Sequence, residues 1–141
     1  MRRRAAAVSC AACASDGAPS EIALALIAGL RQLGAQTVLL TDGKRGAYVG
    51  NAHETIYCPG IEDVPVGSTA GAGDAFAATF AGVFAESGNY QDALIAATIN
   101  AASVVMQIDA QSGLLTKSQL ARPGSSSLRR EAIRSWRYPL Q

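Results

Sequence analysis

The first periodic segment of the chain begins at Ser20 and ends at Gly34. Serine favours the position just before a helix, and glycine commonly stands just after its last turn. Between these two residues, large apolar side chains recur every three or four positions, which predicts a helix with one buried face. That face is predicted to consist of Ile22, Leu26, Leu30 and Leu33.

Three short segments without helical spacing follow. Thr37–Thr41 is a run of β-branched and aliphatic residues with no polar alternation, which predicts a buried strand. Residues 42–46 have the composition of a turn. Ala47–Gly50 and Glu54–Cys58 predict two more strands, joined by a turn at residues 51 and 52.

Two helical patterns come after a glycine-rich stretch, and Ser87-Gly88 separates them. Their predicted inner faces are Phe76, Phe80, Val83 and Phe84 in the first helix, and Leu94, Ala97, Thr98, Ala101 and Val105 in the second. The order helix, strand, hairpin, glycine loop, helix, helix predicts an α/β fold, as part of a layered sheet with flanking helices.

The chain divides by composition into three parts. Residues 1–18 show no clear periodicity and predict an irregular segment, whereas residues 19–121 hold all the periodic elements. Residues 122–141 begin with a linker-like Arg-Pro-Gly and three serines, and arginines then surround Trp136. That composition predicts a basic, flexible tail.

The overall composition excludes several classes of protein. The 141 residues are 49% hydrophobic and 16% charged, which is typical of a folded domain with its own core. The net charge of +1 gives no footprint for a nucleic acid or a membrane surface. No apolar run approaches the roughly 18 residues that a membrane helix needs. We therefore expect no nucleic-acid partner and no membrane insertion.

The first residues contain two signals that we interpret as incidental. Cys10 and Cys13 have the spacing of a redox pair or half a zinc site, but no second pair exists and His53 is far away, so we interpret them as small fillers. The basic start and the alanine-rich segment after it imitate a secretory signal. Since that segment lacks leucine and phenylalanine, we expect a cytoplasmic protein.

The stretch over residues 67–76 carries the most specific signal, because Gly71 and Gly73 stand directly before Asp74 where a helical pattern begins. Glycine lets the backbone turn tightly and approach a ligand closely. The N–H groups of a first helical turn are unpaired and lie at the positive end of the helix dipole, where a phosphate can bind. The stretch therefore predicts an anion hole with a carboxylate beside it.

Residues 68–74, Ser-Thr-Ala-Gly-Ala-Gly-Asp, resemble the Asp-Thr-x-Gly-Ala-Gly-Asp signature of the PfkB (ribokinase-like) carbohydrate kinases. Residues 41–47 are similar to the family's Thr-x-Gly-x-x-Gly-Ala hairpin, and Asn-Ala-Ala-Ser at residues 100–103 and Gly-Leu-Leu-Thr at residues 113–116 stand at family-like places. The resemblance extends from about residue 20 to about residue 120.

This resemblance implies that residues 19–121 are the C-terminal, nucleotide-binding portion of a ribokinase-like fold. The first strands of the sheet, the lid and most sugar contacts of such a kinase are expected to be missing. The implied activity is transfer of a phosphoryl group from ATP, with Mg²⁺, to a hydroxyl of a sugar or a nucleoside.

The resemblance also implies residue roles at the glycine stretch. Asp74 matches the catalytic base, which takes the proton of the attacking hydroxyl. Gly71, Ala72 and Gly73 would form the phosphate-binding anion hole. The alternative for Asp74 is an aspartate that only interacts with the helix dipole.

By the same resemblance, Thr41, Gly43 and Gly46 border the nucleotide, and Asn100 lies near the adenine ring. An ordinary β-turn, in which the glycines supply positive φ angles, accounts for the hairpin equally well. The alternative for Asn100 is a buried asparagine bonded to backbone carbonyls.

No metal ligand is assigned to the protein. The family's Asn-x-x-Glu motif, which is associated with Mg²⁺, is expected before the helix that starts at Ser20. The same spacing at Asn51 and Glu54 follows the hairpin instead. We interpret it as a turn, with His53 at the surface.

Two alternatives stand beside kinase activity. The chain could be a catalytically inactive fragment that binds nucleotide or a partner protein, and an exposed sheet edge would favour association, including self-association. Residues 43–46, Gly-Lys-Arg-Gly, also match the G-x-x-G loop of RNA-binding KH domains. A KH loop joins two helices, whereas a strand-like run precedes this one.

Overall fold

The computed structural model describes residues 5–9, 20–121 and 129–138. The helices are α1 (Glu21–Gln32), α2 (Ala72–Ser87), α3 (Tyr90–Val105) and α4 (Lys117–Leu120). The strands are β1 (Ala5–Ser9), β2 (Thr37–Thr41), β3 (Ala47–Gly50), β4 (Glu54–Cys58) and β5 (Arg134–Arg137). A single 3₁₀ turn, Gly43–Arg45, joins β2 to β3. Cys10 and Cys13 lie outside the described residues.

The five strands form one sheet in the order β1-β2-β3-β4-β5. β1 runs parallel to β2, and the other neighbouring pairs are antiparallel. The β2–β3–β4 meander has the bounds that the hydrophobic runs predict, so this part of the prediction is confirmed.

The two outer strands correct the sequence interpretation of both ends. Ala5–Ser9 forms β1 within the segment predicted to be irregular, and Arg134–Arg137 forms β5 within the segment predicted to be a flexible tail. Neither segment has a strong strand pattern. Backbone hydrogen bonds to β2 and β4 stabilise these two segments as strands. Such pairing is not visible in the sequence, because strand formation depends on the neighbouring strand more than on intrinsic propensity.

Alternate residues of the sheet face two helical layers. On one face, Leu39, Val49 and Ile56 pack with the inner side chains of α2 and α3, including Phe76 and Phe80. On the other face, Val38, Leu40 and Tyr48 pack with α1. The predicted α/β architecture with flanking helices is confirmed, as are the inner faces of α2 and α3 except for Val105, which is only half-buried and lies outside this cluster.

Helix α1 confirms its predicted start but not its predicted face. The Oγ of Ser20 accepts a hydrogen bond from the N–H of Ala23 at 3.4 Å, as expected of an N-cap. The prediction was wrong for Ile22 and Leu33, whose side chains are 53% and 80% exposed, and for Leu26. Ala23 and Ile27 are buried instead.

The reason lies in the strand beneath the helix. A Cβ added to Gly50 of β3 would stand 2.2 Å from the Cγ2 of Ile27, so the absence of a side chain there creates the space that Ile27 fills. This close approach fixes the rotation of α1 about its axis. Leu30 of the predicted face packs against this side of the sheet as expected, whereas Ala23 and Ile27 replace Ile22 and Leu26, each one residue further along the chain.

Among the described residues, no helix combines the length and the apolar character needed to cross a bilayer.

Candidate functional site

The glycine loop before α2 turns at Gly71, which has a left-handed φ of 78° and caps the helix. Its carbonyl accepts the N–H of Ala75 at 2.9 Å, the first full α-helical bond. A Cβ at Gly71 would lie 2.5 Å from the Cβ of Ala110. Both the backbone angle and this contact require glycine here, so Gly71 serves the turn itself.

Gly73 and Asp74 occupy the open side of the same turn. Both residues are exposed, and a Cβ at Gly73 would meet no atom of the described residues within 4 Å. Within the described part of the chain, the N–H groups of Gly73 and Asp74 meet no hydrogen-bond acceptor. The start of α2 therefore presents free N–H donors and the positive end of the helix dipole to solvent, with the Asp74 carboxylate in the same turn.

The entry to the loop is anchored on the end of α3. The N–H groups of Gly67 and Ser68 both donate to the carbonyl of Val105, at 2.8 and 3.2 Å. The Oγ of Ser68 accepts the N–H of Ala70 at 3.1 Å. These bonds hold residues 67–70 against the helix layer, so that only the last part of the loop projects freely.

A second loop supports the first, and the sequence analysis missed its role. Asp109 accepts hydrogen bonds from the Oγ of Ser112 at 2.6 Å, the N–H of Ser112 at 2.7 Å and the N–H of Gln111 at 2.8 Å. These bonds, the Ser112 hydroxyl foremost, lower the pKa of Asp109 from 3.8 to about 2. Ala110, which packs against Gly71, lies inside this loop. The available sequence signal is the aspartate itself, because its short carboxylate commonly accepts the backbone N–H groups of the following residues in a turn.

The hairpin between β2 and β3 also contains two different glycines. Gly46 has a φ of 108°, and a Cβ there would lie 2.1 Å from the carbonyl oxygen of Cys58. Gly43 has a φ of 54° and is exposed. A Cβ added to it would meet no atom of the described residues within 4 Å. Thr41 ends β2 opposite Ala47. The hairpin thus has a packed side at Gly46 and an open side at Gly43.

Asn100 lies in the middle of α3 and is only 4% exposed. Its Nδ2 donates to the Oγ1 of Thr79 in α2 at 2.7 Å, and its Oδ1 accepts the N–H of Leu115 at 2.9 Å. The side chain therefore joins α2, α3 and the segment before α4. Its partners are a hydroxyl and a backbone N–H, not the backbone carbonyls of the alternative interpretation.

Cys58 lies in the core under the hairpin and is fully buried. Burial raises the pKa of its thiol, and the Oγ1 of Thr98 donates to its sulfur at 3.6 Å. This is the environment of a packing residue rather than of a reactive thiolate.

The Asn51–Glu54 segment is a turn, as predicted. The Oδ1 of Asn51 accepts the N–H groups of His53 and Glu54 at 2.7 and 3.0 Å, and His53 is exposed. The described residues contain no group of three or more histidine, cysteine, aspartate or glutamate side chains that could hold a metal ion.

The predicted site residues thus fall into three places. Gly71, Ala72, Gly73 and Asp74 share the first turn of α2, the hairpin residues lie at one end of β2 and β3, and Asn100 lies within the helix layer. Among the described residues, no hydrogen bond joins these three places directly.

Solved kinases share this fold. Ribokinase from Thermotoga maritima is 29% identical, with a TM-score of 0.61 over 67% of this chain and 31% of its own. Ribokinase from Arabidopsis thaliana, solved with ribose and ATP, is 27% identical, with a TM-score of 0.64 over 72% of this chain and 34% of its own. An Escherichia coli protein provisionally named ribokinase II, solved with ATP and Mg²⁺, is 23% identical, with a TM-score of 0.64 over 69% of this chain and 31% of its own.

This chain therefore spans about a third of the length of these solved kinases. No curated protein matches it significantly. The sequence pattern of the family described as pfkB family carbohydrate kinase matches residues 10–117. Because that match covers well over half of the 141 residues, the chain belongs to the pfkB family of carbohydrate kinases.

Proposed function

We propose that this chain carries the phosphate-binding turn and the catalytic base of an ATP-dependent phosphotransferase that acts on a hydroxyl of a sugar or a nucleoside. One observation supports the proposal above the others. The first turn of α2 has a packed glycine, Gly71, that fixes its shape, and an open glycine, Gly73, that leaves its N–H donors accessible beside Asp74.

The residues of this turn have complementary tasks. ATP, when bound, supplies the γ-phosphoryl group. The N–H groups of Gly73 and Asp74, which have no acceptor among the described residues, face the phosphate oxygens and offset their charge, as the start of a helix does for anions. Asp74 takes the proton of the attacking hydroxyl while the oxygen–phosphorus bond to the acceptor forms and the bond to the ADP oxygen breaks. An exposed carboxylate is sufficient for this step if it lies within hydrogen-bond reach of the hydroxyl.

The nucleotide is proposed to extend from this turn toward the hairpin. Gly43 leaves the outer side of the hairpin open, which suits close approach of a ligand to the backbone. Thr41 and Gly46 keep the roles that the family motif implies at the edge of this surface. Asn100 is already bonded through both ends of its amide, so its contribution to the adenine site is to hold α3 and Leu115 in place.

Mg²⁺ is proposed to arrive with the phosphates of ATP. This ion keeps several waters and binds substrate phosphates readily, and we assign it no protein ligand among the described residues. We propose a cytoplasmic location, where ATP is available.

A second candidate is a fragment that binds nucleotide, or a partner protein, without transferring phosphate. The coverage of about a third of each solved kinase favours it, because about two thirds of those proteins have no counterpart in the matched residues. Both candidates bind phosphate at the start of α2, but only the first transfers a phosphoryl group.

The replacement Asp74→Asn tests the base. We expect transfer of the ATP γ-phosphate to a panel of sugars and nucleosides to fall by about 100-fold or more, because general-base catalysis contributes on that order. ATP affinity, measured by calorimetry, should stay close to that of the unmodified chain. Asp63→Asn is the matched control, since Asp63 is also exposed and lies outside the turn.

Unchanged transfer by the Asp74→Asn variant would contradict the base assignment. Nucleotide binding by the unmodified chain with no transfer to any acceptor would support the second candidate.

A further inference from the structure

The hairpin contains a buried carboxylate that none of the proposed roles uses. Asp42 stands between Thr41 and Gly43, and its side chain is only 2% exposed. A buried charge is costly unless it is paired and hydrogen-bonded. Glycine and uncharged polar residues could form such a turn without this cost. The buried carboxylate therefore indicates a role for Asp42 besides forming the turn.

Arg45 supplies the pairing. Its Nε donates to the Oδ2 of Asp42 at 3.0 Å, and its Nη2 donates to the Oδ1 at 2.8 Å. This two-pronged arrangement fixes the orientation of both side chains, not only their separation. The Arg45 side chain is 49% exposed, so the pair lies between the core and the solvent surface of the hairpin.

The ion pair spans the 3₁₀ turn on which the open glycine stands. Within the backbone, the N–H of Asp42 donates to the carbonyl of Gly46 at 2.8 Å, and the N–H of Arg45 donates to the carbonyl of Asp42 at 3.1 Å. The hydroxyl of Tyr57 in β4 donates to the carbonyl of Arg45 at 2.5 Å. The carbonyl of Gly43, inside the turn, accepts the N–H of Gly46 at 3.2 Å, whereas a Cβ added to Gly43 would meet no atom of the described residues within 4 Å.

The opposite side of the hairpin is fixed by packing. Gly46 contacts the backbone of Cys58 and Gly60, and a Cβ at Gly60 would lie 2.1 Å from the carbonyl oxygen of Lys44. Arg129 donates to the carbonyls of Pro59 and Gly60 at 3.0 and 3.4 Å, which holds this segment from outside. The hairpin therefore has a firm base, and the ion pair controls the remaining freedom at its tip.

We propose that Asp42 and Arg45 are positioning residues for the nucleotide: their ion pair holds the Gly43 tip in the conformation that accepts ATP. This inference rests on the proposed function, because it concerns the affinity of the same site. If the competent conformation falls to about a tenth of the population, the apparent Kd for ATP rises about tenfold.

The test compares Arg45→Gln with Arg130→Gln. Arg130 is a matched control, since it is 54% exposed and also pairs with an aspartate, Asp92, at 2.5 Å. We expect Arg45→Gln to raise the Kd for ATP about tenfold, with no effect of Arg130→Gln. Arg45→Lys, which keeps the charge but loses the fork, should fall between the unmodified chain and Arg45→Gln.

Two further measurements separate positioning from general stability. The double variant Asp42→Asn/Arg45→Gln removes both charges, so its unfolding free energy should recover relative to Arg45→Gln while its Kd for ATP stays raised. Hydrogen exchange of the residue 43–46 amides in the unliganded chain should accelerate in Arg45→Gln and stay unchanged in Arg130→Gln.

The outcomes are distinguishable. If the unmodified chain binds no ATP, the proposed function fails and this inference fails with it. If the unmodified chain binds ATP and Arg45→Gln binds it equally well, only the inference is overturned. A Kd that recovers together with stability in the double variant would also overturn it, because the pair would then act on the fold alone.

Discussion

The hairpin and the start of α2 are two glycine turns built in the same way. Each has one packed glycine with a positive φ, Gly46 or Gly71, whose missing Cβ admits a neighbouring atom. Each also has one open glycine, Gly43 or Gly73, where an added Cβ would meet no atom of the described residues within 4 Å. A motif that reads as repeated glycines therefore contains two kinds of position, one packed against a neighbour and one with open space beside it, although the positive φ of 54° at Gly43 also suits glycine.

The two turns differ in what the packed glycine contacts. Gly46 approaches backbone, the carbonyl of Cys58, which a strand ladder holds in place. Gly71 approaches the side chain of Ala110 in an exposed loop. Backbone in a sheet yields less than a loop, so the same substitution should cost more in the hairpin.

The largest effect is expected for Gly46→Ala. The new Cβ would stand 2.1 Å from the Cys58 oxygen, and φ at this position is 108°, which alanine rarely adopts. We expect a loss of about 2–4 kcal/mol in the free energy of unfolding, measured by urea denaturation. A loss below that of Gly71→Ala would break the distinction between a backbone neighbour and a side-chain neighbour.

The next prediction compares the two glycines at the start of α2. Gly71→Ala should destabilise the chain by about 1–3 kcal/mol, because its Cβ would meet Ala110 at 2.5 Å and φ is 78°. Gly73→Ala should leave stability unchanged or raise it by up to about 1 kcal/mol, since alanine suits a helical position.

For Gly73→Ala, stability and ATP affinity should respond differently when ATP binding is measured by calorimetry. Gly73→Ala puts a methyl group on the open side of the turn, so we expect its Kd for ATP to rise although its stability does not fall. If Gly73→Ala binds ATP as well as the unmodified chain, the open glycine is not a ligand position and the comparison between packed and open glycines fails.

The central elements of the fold could be predicted because their signals are local. The uninterrupted run Thr37–Thr41 predicts a buried strand, and the strand is found there. The helical spacing of Phe76 and Phe80 predicts a buried helix face, and both side chains lie in the core. β1 and β5 gave no such pattern, since their hydrogen bonds come from neighbouring strands. The face of α1 depended on the space above Gly50, which only the folded sheet creates.

The candidate site was predictable to the level of the motif and no further. Gly71, Gly73 and Asp74 were found because glycine and an acidic residue at a helix start have a chemical meaning of their own. Which glycine is packed depends on Ala110 and Cys58, which are distant in sequence. The Asp42–Arg45 pair was missed because charged residues in a turn usually indicate exposure, and Asp42 is buried.

The smallest effect concerns Asp109, whose loop carries the neighbour of Gly71. Its pKa is lowered from 3.8 to about 2 by the hydrogen bonds of Ser112 and Gln111. A carboxyl whose pKa is lower in the folded state contributes stability that is fully present above its unfolded pKa and is lost as the pH falls through the folded value. The contribution of Asp109 to the free energy of unfolding should therefore be constant from pH 7 to about pH 5 and decline between about pH 4 and pH 2.

Carboxyl chemical shifts would report the midpoint near 2, and the stability difference between Asp109→Asn and the unmodified chain should shrink over the same interval. A midpoint near 3.8 would mean that the loop does not hold Ala110 in place, and the cost of Gly71→Ala should then fall toward that of its φ angle alone.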